Sequence, residues 1–252
     1  MKIHQIVFSP TGGTRFVSDC VCKGFGHDTV LTDLCVPEDS VQLPEILEDD
    51  IAVIAMPVFV GRVPSLAVNR LGHIAGHNAR CVIVAVYGNR AYDDALLEMY
   101  DVATCNGFRV IAAISAVAEH SIVRAYGAGR PDSKDRDELF GFGRRILLGM
   151  DSSDVLGSHR VPGNRPYRNV NAGPFPTADE SCIACGKCAH NCPAGAISED
   201  ALRDVDKDLC ISCMRCVAIC PEHSRGIGAV LPALAERLKP LCSARKDNEL
   251  IM

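Results

Sequence analysis

No apolar run in the chain approaches the roughly 20 residues that span a bilayer, and the opening MKIHQIVFSP holds no apolar signal segment. The expectation is a soluble cytoplasmic protein without a membrane span, in a reducing compartment where a disulfide framework is out of place. A basic excess is also missing. Lys and Arg number 26 against 31 Asp and Glu, a net charge of −5, which argues against sequence-independent nucleic-acid binding. Residues 1–150 carry 14 basic and 18 acidic groups and residues 175–252 carry 9 and 11, so neither half is a basic module. No Ser-His-Asp set or carboxylate pair can be argued, and the histidines lack metal-ligand spacing. Tryptophan is absent and aromatics are only 5% of residues, which limits the rings available to stack on a cofactor.

Cysteine, in contrast, is abundant, and eight of the 14 stand in two copies of one pattern. Cys182, Cys185, Cys188 and Cys192 form the first, and Cys210, Cys213, Cys216 and Cys220 the second. Each reads C-x2-C-x2-C-x3-C-P, closing on Pro193 and Pro221, and the copies begin 28 residues apart. The pattern resembles the ligand run of bacterial two-cluster ferredoxins. The resemblance implies that three thiolates of each run share a cubane while the fourth reaches the other one. One [4Fe–4S] centre would then sit on Cys182, Cys185, Cys188 and Cys220, the second on Cys210, Cys213, Cys216 and Cys192. Structural zinc suits the pattern less well, because a zinc ribbon leaves no Cys-Pro over in each half. The other cysteines (Cys20, Cys22, Cys35, Cys81, Cys105 and Cys242) are scattered, and they read as small buried hydrophobes.

The first part of the chain alternates strand and helix signals. Strands are expected at Lys2–Phe8, Thr29–Leu34, Ile51–Met56, Cys81–Tyr87 and Val110–Ala118. The runs IAVIAM and CVIVAVY are continuously apolar, as in strands covered on both faces of a parallel sheet. Helices are expected at Thr14–Lys23, Ser65–His73, Asp93–Cys105 and Glu138–Leu148. Right-handed crossovers then give an α/β class, a doubly wound five-stranded parallel sheet over 1–150. Residues 151–176 lose all periodicity and are rich in Pro, Gly and Asn. We read a surface linker, too long for a simple tether and suited to covering a cofactor. Residues 177–252 follow as a small α+β two-cluster module with a helical tail patterned by Val230, Leu234, Leu238 and Leu241.

Between the first strand and first helix lies Ser9-Pro10-Thr11-Gly12-Gly13-Thr14. Hydroxyls and glycines at a helix N-terminus make an anion site, since the unsatisfied N–H groups and the dipole both favour a phosphate. The loop has neither the G-K-[ST] of a Walker loop nor the third glycine of a dinucleotide loop. A plain strand-to-helix turn, with Ser9 or Thr11 capping, is the competing reading. S-x-T-G-x-T is similar to the FMN phosphate loop of flavodoxins. Two further loops, Pro57–Pro64 and Tyr87–Asp94, leave strand ends where ligands bind in open sheets. With the cysteine runs, the chain resembles the fused flavodoxin–ferredoxin family of anaerobic bacteria over nearly its whole length.

That resemblance implies FMN with its phosphate on Ser9, Thr11, Gly12, Gly13 and Thr14. It also implies aromatic contacts from Phe59, Tyr87 and Tyr92, and ring-edge backbone contacts from Gly61, Gly88 and Asn89. Phe59 read alone is equally a core residue, and Tyr92 a helix-start residue. The absence of Trp departs from the many flavodoxins that stack a Trp or Tyr on each face. Arg62 and Arg90 would either steady the flavin or be solvated, and His120 would either protonate a substrate or be an ordinary loop residue.

The first reading of function is electron transport: an iron–sulfur flavoprotein passing low-potential electrons between its clusters, FMN and a partner oxidoreductase acting as donor or acceptor. An acidic surface would steer a partner with a basic docking patch. The alternative is an FMN-dependent reductase of an unsaturated small molecule, fed by its own clusters, with His120 or Tyr92 as proton donor. Were the linker to let the cluster module swing away, transfer would run between two chains of a homodimer.

Overall fold

The two continuously apolar runs form the centre of a parallel sheet. A computed structural model describes residues 1–36, 41–150, 155–170 and 173–252; parts of the expected linker, at 151–154 and 171–172, lie outside the described residues. The first unit runs β1 (Ile3–Val7), α1 (Gly13–Phe25), β2 (Thr29–Asp33), β3 (Ile51–Pro57), α2 (Ser65–Leu71), β4 (Arg80–Tyr87), α3 (Ala95–Cys105), β5 (Arg109–Val117) and α4 (Ser133–Gly149). Its strands pair in parallel in the order β2-β1-β3-β4-β5, the flavodoxin-like order. Side chains alternate across the sheet with period two. Ala52, Ile54 and Met56 pack on the α2 and α3 side, while Ile51, Val53 and Ala55 pack on the α1 and α4 side. Both faces are therefore covered, which explains the unbroken apolar runs.

The connections after β1, β3 and β4 emerge along one edge of the sheet. The order reverses between β1 and β3, so a crevice opens outside their carboxyl ends. Beyond the first unit come β6 (Thr177–Ala178), α5 (Lys187–His190), α6 (Arg215–Ala218), β7 (Arg225–Gly226), α7 (Val230–Cys242) and β8 (Glu249–Ile251). β6 and β7 form a two-stranded antiparallel ladder. Among the described residues no helix is long and apolar enough to cross a membrane.

One strand was not expected. β8 adds antiparallel to β5, with Ile251, Leu250 and Glu249 opposite Ala113, Ile114 and Ser115, and makes a sixth strand. Its three residues are too short and too mixed to give a period, so the pairing is fixed by tertiary contacts. Asn248 accepts from Val117 N at 2.9 Å and donates to Glu138 Oε2 at 2.7 Å and Asp135 Oδ1 at 3.1 Å. Asp135 in turn holds buried Arg130 in a two-point ion pair, and Arg130 donates to Lys246 O at 2.7 Å. The tail is thus fastened to α4 and β5 by a buried charge network.

Burial alone would raise the Asp135 carboxyl, but Arg130, the Asp132 amide and Asn248 outweigh it and hold it below the usual range. Its contribution to stability is complete above the unfolded value of about 3.9 and is lost as pH falls through the depressed folded value. Asp135→Ala leaves the Arg130 guanidinium buried and unpaired, an expected loss of about 3–5 kcal/mol in urea unfolding at pH 7. Amide exchange at β8 should accelerate with it, and unchanged β8 protection would show that the network does not hold the tail.

Candidate cofactor loops and metal centres

α1 starts at Gly13, with Gly12 as its cap at φ 92, a conformation that favours glycine. Ser9 Oγ accepts from Arg15 N at 2.9 Å, so this hydroxyl caps the helix. Among the described residues, the backbone N–H groups of Gly13 and Thr14 at the helix start have no protein acceptor. Thr11 and Gly12 are exposed and Thr14 is buried. The Gly13 and Thr14 amides are donors without partners at the positive end of a 13-residue helix, the chemistry that receives a phosphate.

The two neighbouring loops are braced on each other. In the first, Phe59 and Arg62 close a tight turn through Val60 and Gly61, both at positive φ. A Cβ on Gly61 would meet Asp93 Oδ2 at 2.1 Å, so the second loop lies directly against it. Gly61 O accepts from Asp94 N at 3.1 Å. Phe59 is half-buried and Val60 exposed. Tyr87 is buried and meets Tyr92 edge-on with ring centroids 5.6 Å apart, while Tyr92 OH donates to Glu249 Oε2 at 2.8 Å. The Asn89 amide donates to Cys242 O at 2.6 Å and Ala244 O at 2.8 Å, and Gly88 packs on His120. The first loop thus keeps its aromatic residue at the surface, whereas side chains of the second are engaged with the tail.

Arg62 is paired rather than freely solvated. It forks onto buried Glu98, with Nε to Oε2 and Nη2 to Oε1 both 2.7 Å, and lies 4.6 Å over the Tyr167 ring. Arg90 pairs with Asp93. His120 is half-buried, its pKa lowered chiefly by desolvation, and Nδ1 accepts from Ile122 N at 3.2 Å and Val123 N at 3.1 Å. The 161–170 segment is fastened here as well. Asp94 accepts from Asn164 N at 2.9 Å, Asn164 Nδ2 at 3.1 Å and Arg168 N at 2.8 Å.

The cysteine runs fold as two copies of one loop. Ala184 and Ser212, Gly186 and Met214, and Gly195 and His223 all take positive φ at matching places, and α5 and α6 follow in the same register. Left-handed Ala, Ser, Met and His are strained, and such strain persists only where the surroundings enforce it. It turns backbone N–H groups onto sulfur: Ser212 N–H on Cys210, Arg215 N–H on Cys213 and Ala196 N–H on Cys192. Two recesses of similar size result. Cys182, Cys185, Cys188 and Cys220 line the outer one, and Cys192, Cys210, Cys213 and Cys216 the inner one. No three His, Cys, Asp or Glu groups among the described residues converge tightly enough for a single metal ion. Burial pushes the Cys213 thiol up to about 12, and Cys216 to about 11 despite the opposing Arg225, so binding metal there releases protons.

The two cavities differ in surroundings. Cys185 is exposed, whereas Cys213 and Cys216 are buried. The inner cavity abuts the carboxyl ends of β1 and β2. Arg70 bridges Leu34 O at 2.6 Å and Pro193 O at 2.8 Å, and Arg215 reaches Pro10 O at 3.5 Å. Cys35 Sγ accepts from Ser9 N at 3.0 Å. Burial raises its thiol to about 12, and Cys213 contributes to the rise through its charge. Cys35 therefore lies against the phosphate loop, a place its scattered position in sequence did not signal. Cys20, Cys22, Cys81 and Cys242 are also buried, and Cys105 is exposed.

Residues 181–224 match the 4Fe-4S dicluster domain family. Over 31 residues the chain is 52% identical to a ferredoxin of Butyribacterium methylotrophicum, covering 12% of this chain and 56% of that ferredoxin. The chain thus spans about half the length of that relative. Rubredoxin oxygen:oxidoreductase from the anaerobe Desulfovibrio gigas is similar at a TM-score of 0.43 and 13% identity, over 60% of this chain and 36% of that one. A WrbA-like flavodoxin from Agrobacterium tumefaciens is similar at a TM-score of 0.43 and 12% identity, over 61% of this chain and 99% of that one.

Asp94→Ala removes the acceptor that gathers Asn164 and Arg168. Trypsin cleavage after Arg168 should then speed up severalfold, with a loss of about 1–3 kcal/mol in global stability. An unchanged digestion rate would mean that the segment is held elsewhere.

Proposed function

We propose that this chain, a flavodoxin-like domain continued by a 4Fe-4S dicluster domain, is an electron-transfer protein relaying low-potential electrons between two [4Fe–4S] centres, FMN and a partner oxidoreductase. The observation that carries the reading is the pair of four-cysteine cavities, the inner one set against the candidate phosphate loop. Cys182, Cys185, Cys188 and Cys220 would hold the outer centre, and Cys192, Cys210, Cys213 and Cys216 the inner one. Ser9, Thr11, Gly12, Gly13 and Thr14 would receive the flavin phosphate, and the loops bearing Phe59, Gly61, Gly88 and Asn89 would border the ring. Tyr87 and Tyr92 would stand behind them. When bound, the centres exchange single electrons and the flavin one or two.

The chain's own residues supply position and insulation. Buried Cys213 and Cys216 keep water from the inner site, and exposed Cys185 leaves the outer one within reach of a partner. Arg215 links the inner cavity to the phosphate loop through Pro10 O. Outer centre, inner centre, flavin is the order this arrangement favours. The tail network and the Asp94 clamp hold the cluster module at both ends, which supports transfer within one chain.

The alternative reductase reading has less support. One of its proton donors is already engaged, Tyr92 OH on Glu249, while His120 accepts two backbone amides at Nδ1 and so keeps its ring proton on Nε2.

The carrier reading predicts about eight irons per chain and released flavin that chromatographs as FMN. Cys185→Ser should cost the outer centre and slow flavin reduction by a protein donor, while Cys213→Ser should remove the inner centre and uncouple the flavin almost completely. Anaerobically reduced protein should stay reduced with small unsaturated molecules and be oxidised only through a partner enzyme. Turnover of a small molecule by the chain alone would sink the carrier reading in favour of the reductase.

A further inference from the structure

Among the described residues three arginine Nε atoms are buried without a hydrogen-bond partner: Arg70, Arg215 and Arg225. Arg215 lines the inner cavity, and the other two each touch a residue that lines it, Cys216 for Arg225 and Pro193 for Arg70. Arg225 is 4% exposed and stands on β7 with Nη1 3.9 Å from Cys216 Sγ. Its other contacts are backbone carbonyls, Nη1 to Pro176 O at 3.1 Å and Nη2 to Leu202 O and to Asp204 O at 3.1 Å. Its own N–H is turned on Cys220, and it also lines the outer cavity. Arg215 lines the inner cavity and touches Pro10 O. Arg70, 6% exposed, holds Pro193 O beside Cys192.

Among the described residues none of the three pairs with a carboxylate. Asp33, the acid next to Cys35, uses Oδ1 to accept from the Cys35 amide. Guanidinium does not deprotonate in proteins, and carbonyl dipoles satisfy its N–H groups without cancelling its charge. A buried, unpaired cation is costly. The anions within reach are the inner thiolates, which exist when metal is bound. The outer cavity is different: Lys187 and Glu222 line it with opposite charges, and both are exposed to solvent screening.

We infer that Arg70, Arg215 and Arg225 make the inner centre the higher-potential member of the pair, so that an electron delivered to the outer centre comes to rest beside the flavin loop. The inference rests on the reading of both cavities as [4Fe–4S] sites. Taking up one electron adds one negative charge to a centre and makes or breaks no bond. A fixed cation in low dielectric stabilises the more negative state and raises the potential. Arg225 lines the outer cavity and stands 3.9 Å from a cysteine of the inner one, so it raises both, whereas Arg215 lines only the inner one and Arg70 adjoins it through Pro193 O, and these two set the difference.

The test is a potentiometric titration followed by electron paramagnetic resonance on the anaerobically isolated full chain, with dithionite as reductant and iron and flavin counted in every sample. Two midpoints are expected. Arg215→Gln and Arg70→Gln should shift only the higher one to more negative potential, Arg225→Gln should shift both, and the corresponding Lys variants should restore most of each shift. A higher midpoint that no variant moves overturns the inference, as does a shift confined to the lower midpoint in Arg215→Gln or Arg70→Gln. If a Gln variant loses iron and its Lys counterpart keeps it, the charge is needed to seat the inner centre and the inference stands. Equal iron loss in both means the arginines are only braces, and it falls. Wild-type protein with about four irons would strike the two-centre reading instead.

Discussion

The stretch from Thr177 to Gly226 has almost no hydrophobic core. Its buried apolar residues are Ala196, Ile197, Cys213, Met214 and Cys216, too few to offset the ordering of a segment of that length. It is shaped instead by its cysteines and by what holds its two ends. Strained left-handed residues at 184, 212, 214 and 223 persist under those conditions. Without ligation there would be little to keep the loops wound around the two cavities.

Anchorage turns that weak segment into a fixed one. On one side the 161–170 segment is gathered by Asp94, a residue of the loop that follows β4. On the other, α7 packs on Val123 and Tyr126, Asn89 captures two carbonyls of the descending chain, and β8 joins the sheet. The loop after β4 therefore has a second task, and Tyr87, Asn89 and Tyr92 face packing as well as any ligand. Arg62 shows the same economy, its charge used to tie α3 to the linker.

Much of this was legible in the chain because the signals are local. Cysteine spacing, the 28-residue offset and the apolar runs of β3 and β4 each lie within a few residues, and all five parallel strands and the four flanking helices form close to where the pattern put them. What stayed hidden depends on distant partners. Asn89 meets carbonyls more than 150 positions away, Arg70 reaches Pro193, and Cys35 looks like any scattered core thiol until its approach to Ser9 is seen. The β8 strand fails as a pattern because three residues have no measurable period.

The order of the elements along the chain has a consequence for biosynthesis. β5 is an edge of the sheet until β8 arrives, and the cysteine-rich stretch lies between them in the chain. The ribosome must therefore make both cysteine runs before that edge is closed. For that interval a strand rich in Ala, Ile and Val offers unpaired backbone to any neighbouring chain, and its covering waits on a pairing of very high sequence separation, which is slow. The covering of the parallel sheet is in this way left to one short strand that is made after both cysteine runs.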